Sequence, residues 1–288
     1  MNNPSLKPAF GEDHFEGRSD CQLFFRWARP SAPRAVLVVV HGLGEHSGRY
    51  DELAHALVAG NFAYYSFDLR GHGKSGGPRG DVHKFDDYLY DLNRFLGLVR
   101  QREKHLPIFL MGHSLGGILT VLYALDHQSE LAGLITASTA FQLASPPGAL
   151  SLLGARVLST VAPGVKLQND LDPAQLSNDP ALPAQYLSDP LVERQVTAKW
   201  ASEFFSNYGR ALQRAPELSI PLLVLHGGAD EIADVAGARA FHERAGSSDK
   251  SLQVYTELRH ELYTELPENR NQVFADLIKW LAAHLEEP

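Results

Sequence analysis

Gly112-His113-Ser114-Leu115-Gly116 constrains this chain more than any other stretch. It follows Leu106-Pro107-Ile108-Phe109-Leu110-Met111 and precedes Gly117-Ile118-Leu119-Thr120-Val121-Leu122, so a buried strand must turn sharply into a helix at one serine. Glycines two residues before and two after the serine let strand and helix approach without a Cβ between them, the G-x-S-x-G elbow. The serine is then held strained and exposed, at a cost of roughly 1 to 3 kcal/mol that only surrounding packing can sustain.

The flanking sequence predicts that packing. Residues 11–28 alternate polar and apolar around the turn chemistry of Gly17-Arg18-Ser19-Asp20, which reads as a hairpin at a sheet edge. Ala35-Val36-Leu37-Val38-Val39-Val40 is continuously apolar, as a strand covered on both faces of a parallel sheet must be. A helix with Leu53, Ala54, Leu57 and Val58 on one side follows, then the strand Phe62-Ala63-Tyr64-Tyr65-Ser66-Phe67, a helix from about Asp86 to Lys104, the elbow, and the strand Leu131–Ala137. Later come Pro221–Leu225, a helix near residues 234–246, the strand Leu252–Tyr255 and a last helix from Glu268 to His284. This alternation specifies an α/β fold with a mostly parallel central sheet of about eight strands and helices on both faces. At 288 residues, 44% hydrophobic, the chain can bury the large core such a sheet needs.

The rhythm breaks between about Phe141 and Leu212. Pro146-Pro147, Pro163, Pro173, Pro180, Pro183 and Pro190 interrupt helical stretches, and no strand signal appears. The expected organisation is a core of residues 1–140 and 213–288 with an inserted helical cap at 141–212. Leu150 to Val161 carries Leu152, Leu153, Ala155, Val157, Leu158 and Val161, more apolar positions than one core-facing stripe requires. Packing against the core and contact with a lipid surface both account for that excess.

A serine hydroxyl is scarcely ionised at neutral pH, so Ser114 needs a base. Among 13 histidines, His260 follows the last strand in Glu257-Leu258-Arg259-His260-Glu261 and completes the chain order serine, acid, histidine. His41, His72 and His113 stand at strand-end loops as hydrogen-bonded structural groups that could also line a site, and His284 reads as solvated. The imidazole needs a buried acid to fix its tautomer, and Asp230 ends Leu225-His226-Gly227-Gly228-Ala229-Asp230, immediately beyond the expected strand Pro221–Leu225. Glu231 and Asp234 are neighbouring rivals, Asp234 standing where a helix N-cap belongs. A developing oxyanion takes two backbone N–H donors, for which the positions are Leu43 and Leu115.

Other chemistries lack their residues. The third glycine of a dinucleotide fingerprint beginning at Gly42-Leu43-Gly44 is Ser47, and the first glycine of a phosphate loop ending in Gly73-Lys74-Ser75 is Asp68. No H-E-x-x-H occurs, and with one cysteine, Cys21, neither a cysteine-ligated zinc nor an intrachain disulfide is expected. No cofactor and no metal are expected. A net charge of −8 without a basic cluster speaks against a nucleic-acid partner. Met1–Lys7 lacks an apolar signal core and no window reaches membrane-span length, so a cytoplasmic location is expected, with peripheral membrane contact through the cap as the one exception.

His41-Gly42-Leu43-Gly44-Glu45-His46-Ser47-Gly48-Arg49-Tyr50, Asp68-Leu69-Arg70-Gly71-His72-Gly73, the elbow, Tyr186-Leu187-Ser188-Asp189-Pro190-Leu191, and His260 with Glu265-Leu266-Pro267-Glu268 together resemble the monoacylglycerol lipases of the α/β-hydrolase superfamily. The resemblance runs from about residue 11 to the C-terminus, and its first and cap segments are far narrower than G-x-S-x-G. It implies Ser114, Asp230 and His260 as a triad, Leu43 and Leu115 as an oxyanion hole, and a lipid-contacting cap over an apolar acyl tunnel ending at a small polar glycerol site. Some relatives carry cysteine after the acid, where this chain has Ile232-Ala233. The implied substrate is a monoacylglycerol. A lysophospholipase or general carboxylesterase with the same triad and a non-catalytic binding protein of the same fold are the alternatives. Cap charges of both signs, among them Arg156, Lys166, Asp170 and Asp172, favour the uncharged glyceride over a phosphate-bearing headgroup. The sequence leaves oligomeric state open.

Overall fold

The computed structural model describes residues 9–169 and 171–285; Met1–Lys7 and Asp170, read above from sequence, lie outside these. The chain enters as an antiparallel hairpin, Ala9–Glu16 (β1) and Gln22–Arg29 (β2), followed by Ala35–Val40 (β3), Asp51–Ala59 (α1), Phe62–Phe67 (β4) and Asp86–Arg102 (α2). The elbow joins Ile108–His113 (β5) to Leu115–Asp126 (α3), and Gly133–Ala137 (β6) closes the first half. Then come Ala149–Val161 (α4), Lys166–Gln168 (β7), Leu182–Ser188 (α5), Gln195–Thr197 (β8), Ala198–Asn207 (α6) and Arg210–Arg214 (α7). Leu222–Gly227 (β9), Val235–Arg244 (α8), Lys250–Tyr255 (β10) and Pro267–Ala283 (α9) return to the sheet.

One eight-stranded sheet runs β1-β2-β4-β3-β5-β6-β9-β10, antiparallel only where β2 meets β1 and β4. Strand alternation divides the core into two layers. Val36, Val38 and Val40 pack towards α2 and α3 through Phe95, Leu96, Ile118 and Leu122. Leu37 and Val39 pack towards α1 and α9 through Leu53, Leu57, Phe274 and Leu277. With both faces covered, all six β3 side chains are buried, which is why that strand reads as an unbroken apolar run.

The segment between β6 and β9 differs from its expectation in one respect. β7 and β8 form a two-stranded antiparallel ribbon, Lys166 opposite Thr197 and Gln168 opposite Gln195, where no strand was expected. Three residues per strand are too few to show an alternating pattern. The ribbon starts α6: Thr197 N–H donates to Gly80 O at 2.9 Å, and Thr197 Oγ1 caps the helix by accepting from Trp200 N–H at 2.9 Å. Trp200 Nε1 then donates to Tyr88 Oη at 3.1 Å, tying α6 to α2.

Candidate active site

At the elbow, Ser114 takes φ +50° and ψ −117°, a conformation L-residues seldom adopt. Its N–H donates to Ala137 O at 3.1 Å, and its carbonyl accepts from Gly117 N–H at 3.1 Å, so β6 and the first turn of α3 hold it there. A Cβ on Gly112 would collide with the backbone of Gly116, and one on Gly116 with the carbonyl oxygens of Val40 and His41. The two glycines are therefore where β5, α3 and β3 touch backbone to backbone. Ser114 itself is half-buried and lines a cavity of about 920 Å³.

His260 sits in the loop beyond β10, and its Nδ1 pairs with Asp230 Oδ2 at 2.8 Å. The other oxygen, Oδ1, accepts from Ile232 and Ala233 N–H, both at 2.9 Å, and the carboxylate has no solvent exposure. Burial pushes the Asp230 carboxyl up, but the His260 charge and hydrogen bond, His226 and the Ala233 N–H outweigh it and hold the group below its usual range. His260 is the mirror case. Burial pushes its imidazole down, the facing Asp230 carboxylate and then Glu261 and Glu45 push it up, and the net pKa is raised above 6.5. Asp234 is occupied elsewhere, its Oδ1 capping α8 on Ala236 N–H at 2.8 Å, and Glu231 is exposed.

Leu43 and Leu115 also line the cavity, so the structure brings four of the five expected site residues to one space, with Asp230 directly behind His260. The loop carrying Leu43 is pinned throughout. Glu45 Oε1 accepts from Gly42 N–H and from Tyr50 Oη, Ser47 N–H donates to Asp68 Oδ1 at 2.8 Å, and His46 Nε2 pairs with Asp189 at 2.9 Å. His41 is fully buried and spans two loops, accepting from Leu69 N–H and donating to Gly42 O. His72 donates through Nδ1 to Arg70 O. His284 is a correction: it follows α9 half-buried, bonded to Trp280 O and to Asp249, because the end of α9 reaches the residue that precedes β10 rather than solvent.

Three residues at the site were missed or left open by the sequence. The His113 ring lies tilted against that of His260, ring centroids 4.8 Å apart, and burial followed by the His260 charge pushes it down to about 3, so it is neutral. Glu45 and Glu261 are buried carboxylates lining the same cavity. Each stood inside a quoted motif, but no spacing rule turns a loop glutamate towards a cavity. Most of the remaining wall is apolar, with Leu152 and Leu158 from α4 and Trp200, Phe204 and Phe205 from α6. A serine, a tautomer-fixed imidazole, a buried carboxylate and two backbone N–H groups beside an apolar chamber can carry acyl transfer from a long-chain ester.

The chain matches the Hydrolase_4 family, described as serine aminopeptidase, S33, over residues 31–267. It is 33% identical to the monoacylglycerol lipase of Mycolicibacterium smegmatis over 260 residues, covering 90% of this chain and 92% of that protein. It is 35% identical to the Homo sapiens monoglyceride lipase over 264 residues, covering 90% of this chain and 86% of that one. The crystal structure of Paleococcus ferrophilus monoacylglycerol lipase superposes with a TM-score of 0.81 at 31% identity, over 96% of this chain and 99% of that one.

Proposed function

The chain belongs to the serine aminopeptidase S33 family of α/β-hydrolases, and we propose that it is a serine esterase cleaving monoacylglycerols to glycerol and free fatty acid. One observation carries the reading: the 2.8 Å His260–Asp230 pair stands at the same apolar cavity as the strained Ser114. In this mechanism Ser114 Oγ attacks the ester carbonyl carbon while His260 Nε2 takes its proton. Leu43 and Leu115 N–H hold the oxyanion, and the tetrahedral intermediate expels the alcohol, which receives that proton. Water, deprotonated by His260, then releases the fatty acid from Ser114. Asp230 keeps the proton of neutral His260 on Nδ1 and stays ionised throughout.

Residues 141–212 act as the cap. α4 presents Leu152, Ala155 and Leu158 to the cavity and leaves Leu150, Leu153, Val157 and Val161 outward, 82%, 58%, 55% and 72% exposed. Two apolar faces on one helix suit a cap that rests on a lipid surface and passes an acyl chain inwards. Among the described residues no helix is long and apolar enough to cross a membrane. Fluorophosphonate labelling tests the nucleophile: label on the wild type and none on Ser114→Ala is expected. A hydrolysis panel of monoacylglycerols of graded chain length beside lysophosphatidylcholine, diacylglycerol and short p-nitrophenyl esters tests the substrate, and no turnover of any monoacylglycerol would overturn the reading.

A further inference from the structure

Asp230 can aim at His260 only while the turn that carries it keeps its shape. Its Oδ1 accepts from Ile232 and Ala233 N–H, which closes residues 230–233 on themselves and leaves Oδ2 for His260. On one side the turn is fastened by backbone to the chain that leads out of β6: Ala144 N–H donates to Ile232 O at 3.0 Å and Asp234 N–H to Gln142 O at 2.8 Å. On the sheet side it meets His226.

His226 lies in β9, paired with Val254 of β10 and without solvent exposure. Strand alternation puts it on the face of Leu222 and Val224, which are core residues, so an imidazole stands where the pattern calls for an apolar side chain. A buried polar group in such a place is costly unless it is bonded. Its Nε2 is 2.9 Å from Ala233 O and 3.4 Å from Asp230 Oδ2. A carbonyl and an ionised carboxylate only accept, so Nε2 carries the proton. Nδ1 is buried without a partner among the described residues, and a second proton there would be a charge with no acceptor. Burial lowers the His226 pKa, Asp230 and the Ala233 bond oppose the fall, and the net shift is downwards, so the ring is neutral. Among the described residues, it is the one side chain from outside the turn that bonds a backbone group of residues 230–233.

We propose that His226 is a positioning residue for the acid of the triad: its Nε2–H holds the Ala233 carbonyl, fixes the 230–233 turn, and so keeps the Asp230 carboxylate aimed at His260 Nδ1. The same N–H turns its positive end towards Oδ2, the oxygen that pairs with His260. His226 does not line the cavity, so it acts on the rate of the chemical step and not on substrate binding. The role rests on the esterase reading above and adds to it a residue that never touches the substrate.

The test is kcat and KM on a water-soluble short-chain ester. His226→Leu keeps a core side chain and removes the N–H; kcat is expected to fall about 10- to 100-fold with KM within about twofold. His226→Gln, whose amide nitrogen can take the place of Nε2, is expected to recover most of that loss, to within about threefold of wild type. His226→Asn, whose shorter amide reaches the place of Nδ1 but not that of Nε2, is the second variant should leucine not fold, and it is expected to lose as much. In an Asp230→Asn background the leucine substitution should cost less than about twofold, because no carboxylate is left to aim. Equal falls in both backgrounds, or a glutamine variant no better than leucine, mean general packing and overturn the proposal, as does a leucine variant with the wild-type kcat. A wild type that hydrolyses no ester sinks the esterase reading instead.

Discussion

With His260 as the proposed base, its protonation sets the pH at which this site works. Its base form is the neutral imidazole, and Asp230, Glu261 and Glu45 together raise its pKa above 6.5 against the opposing effect of burial. The acid limb of kcat/KM is therefore expected above pH 6.5, activity falling as pH drops through it. Asp230→Asn removes the carboxylate that raises the imidazole and leaves the burial that lowers it, so the limb moves to lower pH. The plateau also falls, by on the order of 10⁴-fold, because the neutral amide no longer fixes the tautomer or balances the imidazolium. A pH profile of kcat/KM on a water-soluble short-chain ester reads both effects. An Asp230→Asn limb unmoved or shifted upwards contradicts this electrostatic account.

Helix α4 shows what an element's sequence says and what it omits. Its surplus of apolar positions is plain in Leu150 to Val161, because every residue contributes to composition. Which of them face out depends on where the helix lies. The structure turns Leu152, Ala155 and Leu158 to the cavity and exposes Leu150, Leu153, Val157 and Val161, a stripe at spacings of three, four and four. The neighbouring ribbon of β7 and β8 escaped the sequence because each strand has three residues and gains its order from pairing across the chain. The stripe makes a separable prediction. Leu153→Ser with Val157→Ser removes apolar area that touches neither core nor cavity, so binding to phosphatidylcholine vesicles should weaken about tenfold or more, at roughly 25 cal/mol per Å² withdrawn. Hydrolysis of a water-soluble short-chain ester should stay within about twofold, as expected for surface substitutions. Co-sedimentation and a spectrophotometric assay measure the two, and unchanged vesicle binding would remove the membrane from the account of α4.

At the scale of the whole molecule, the site is a property of topology. Leu43, Ser114, Asp230 and His260 follow β3, β5, β9 and β10, strands that run parallel and so deliver their C-terminal ends to one edge of the sheet. That edge was legible in the sequence because buried parallel strands are apolar runs and the close backbone approaches at the elbow leave room only for glycine at positions 112 and 116. Glu45 and Glu261 were not legible as cavity groups, since their orientation depends on Arg49 and on loops more than 200 residues apart. The cavity, in turn, is walled by both halves of the fold, with Ser114 and Leu43 from the sheet edge and α4 and α6 from the segment between β6 and β9. An acyl chain in it must touch both, and each buried methylene contributes about 0.8 kcal/mol. A long alkyl phosphonate bonded to Ser114 should therefore hold α4 and α6 to the sheet, whereas a methyl phosphonate fills only the sheet-side end. Calorimetry of the two adducts is expected to give a higher Tm for the dodecyl than for the methyl compound, with slower proteolysis between residues 141 and 212. Identical melting and cleavage of both adducts would mean that the chain lies outside the cavity, and that the apolar wall of α4 and α6 serves some purpose other than receiving it.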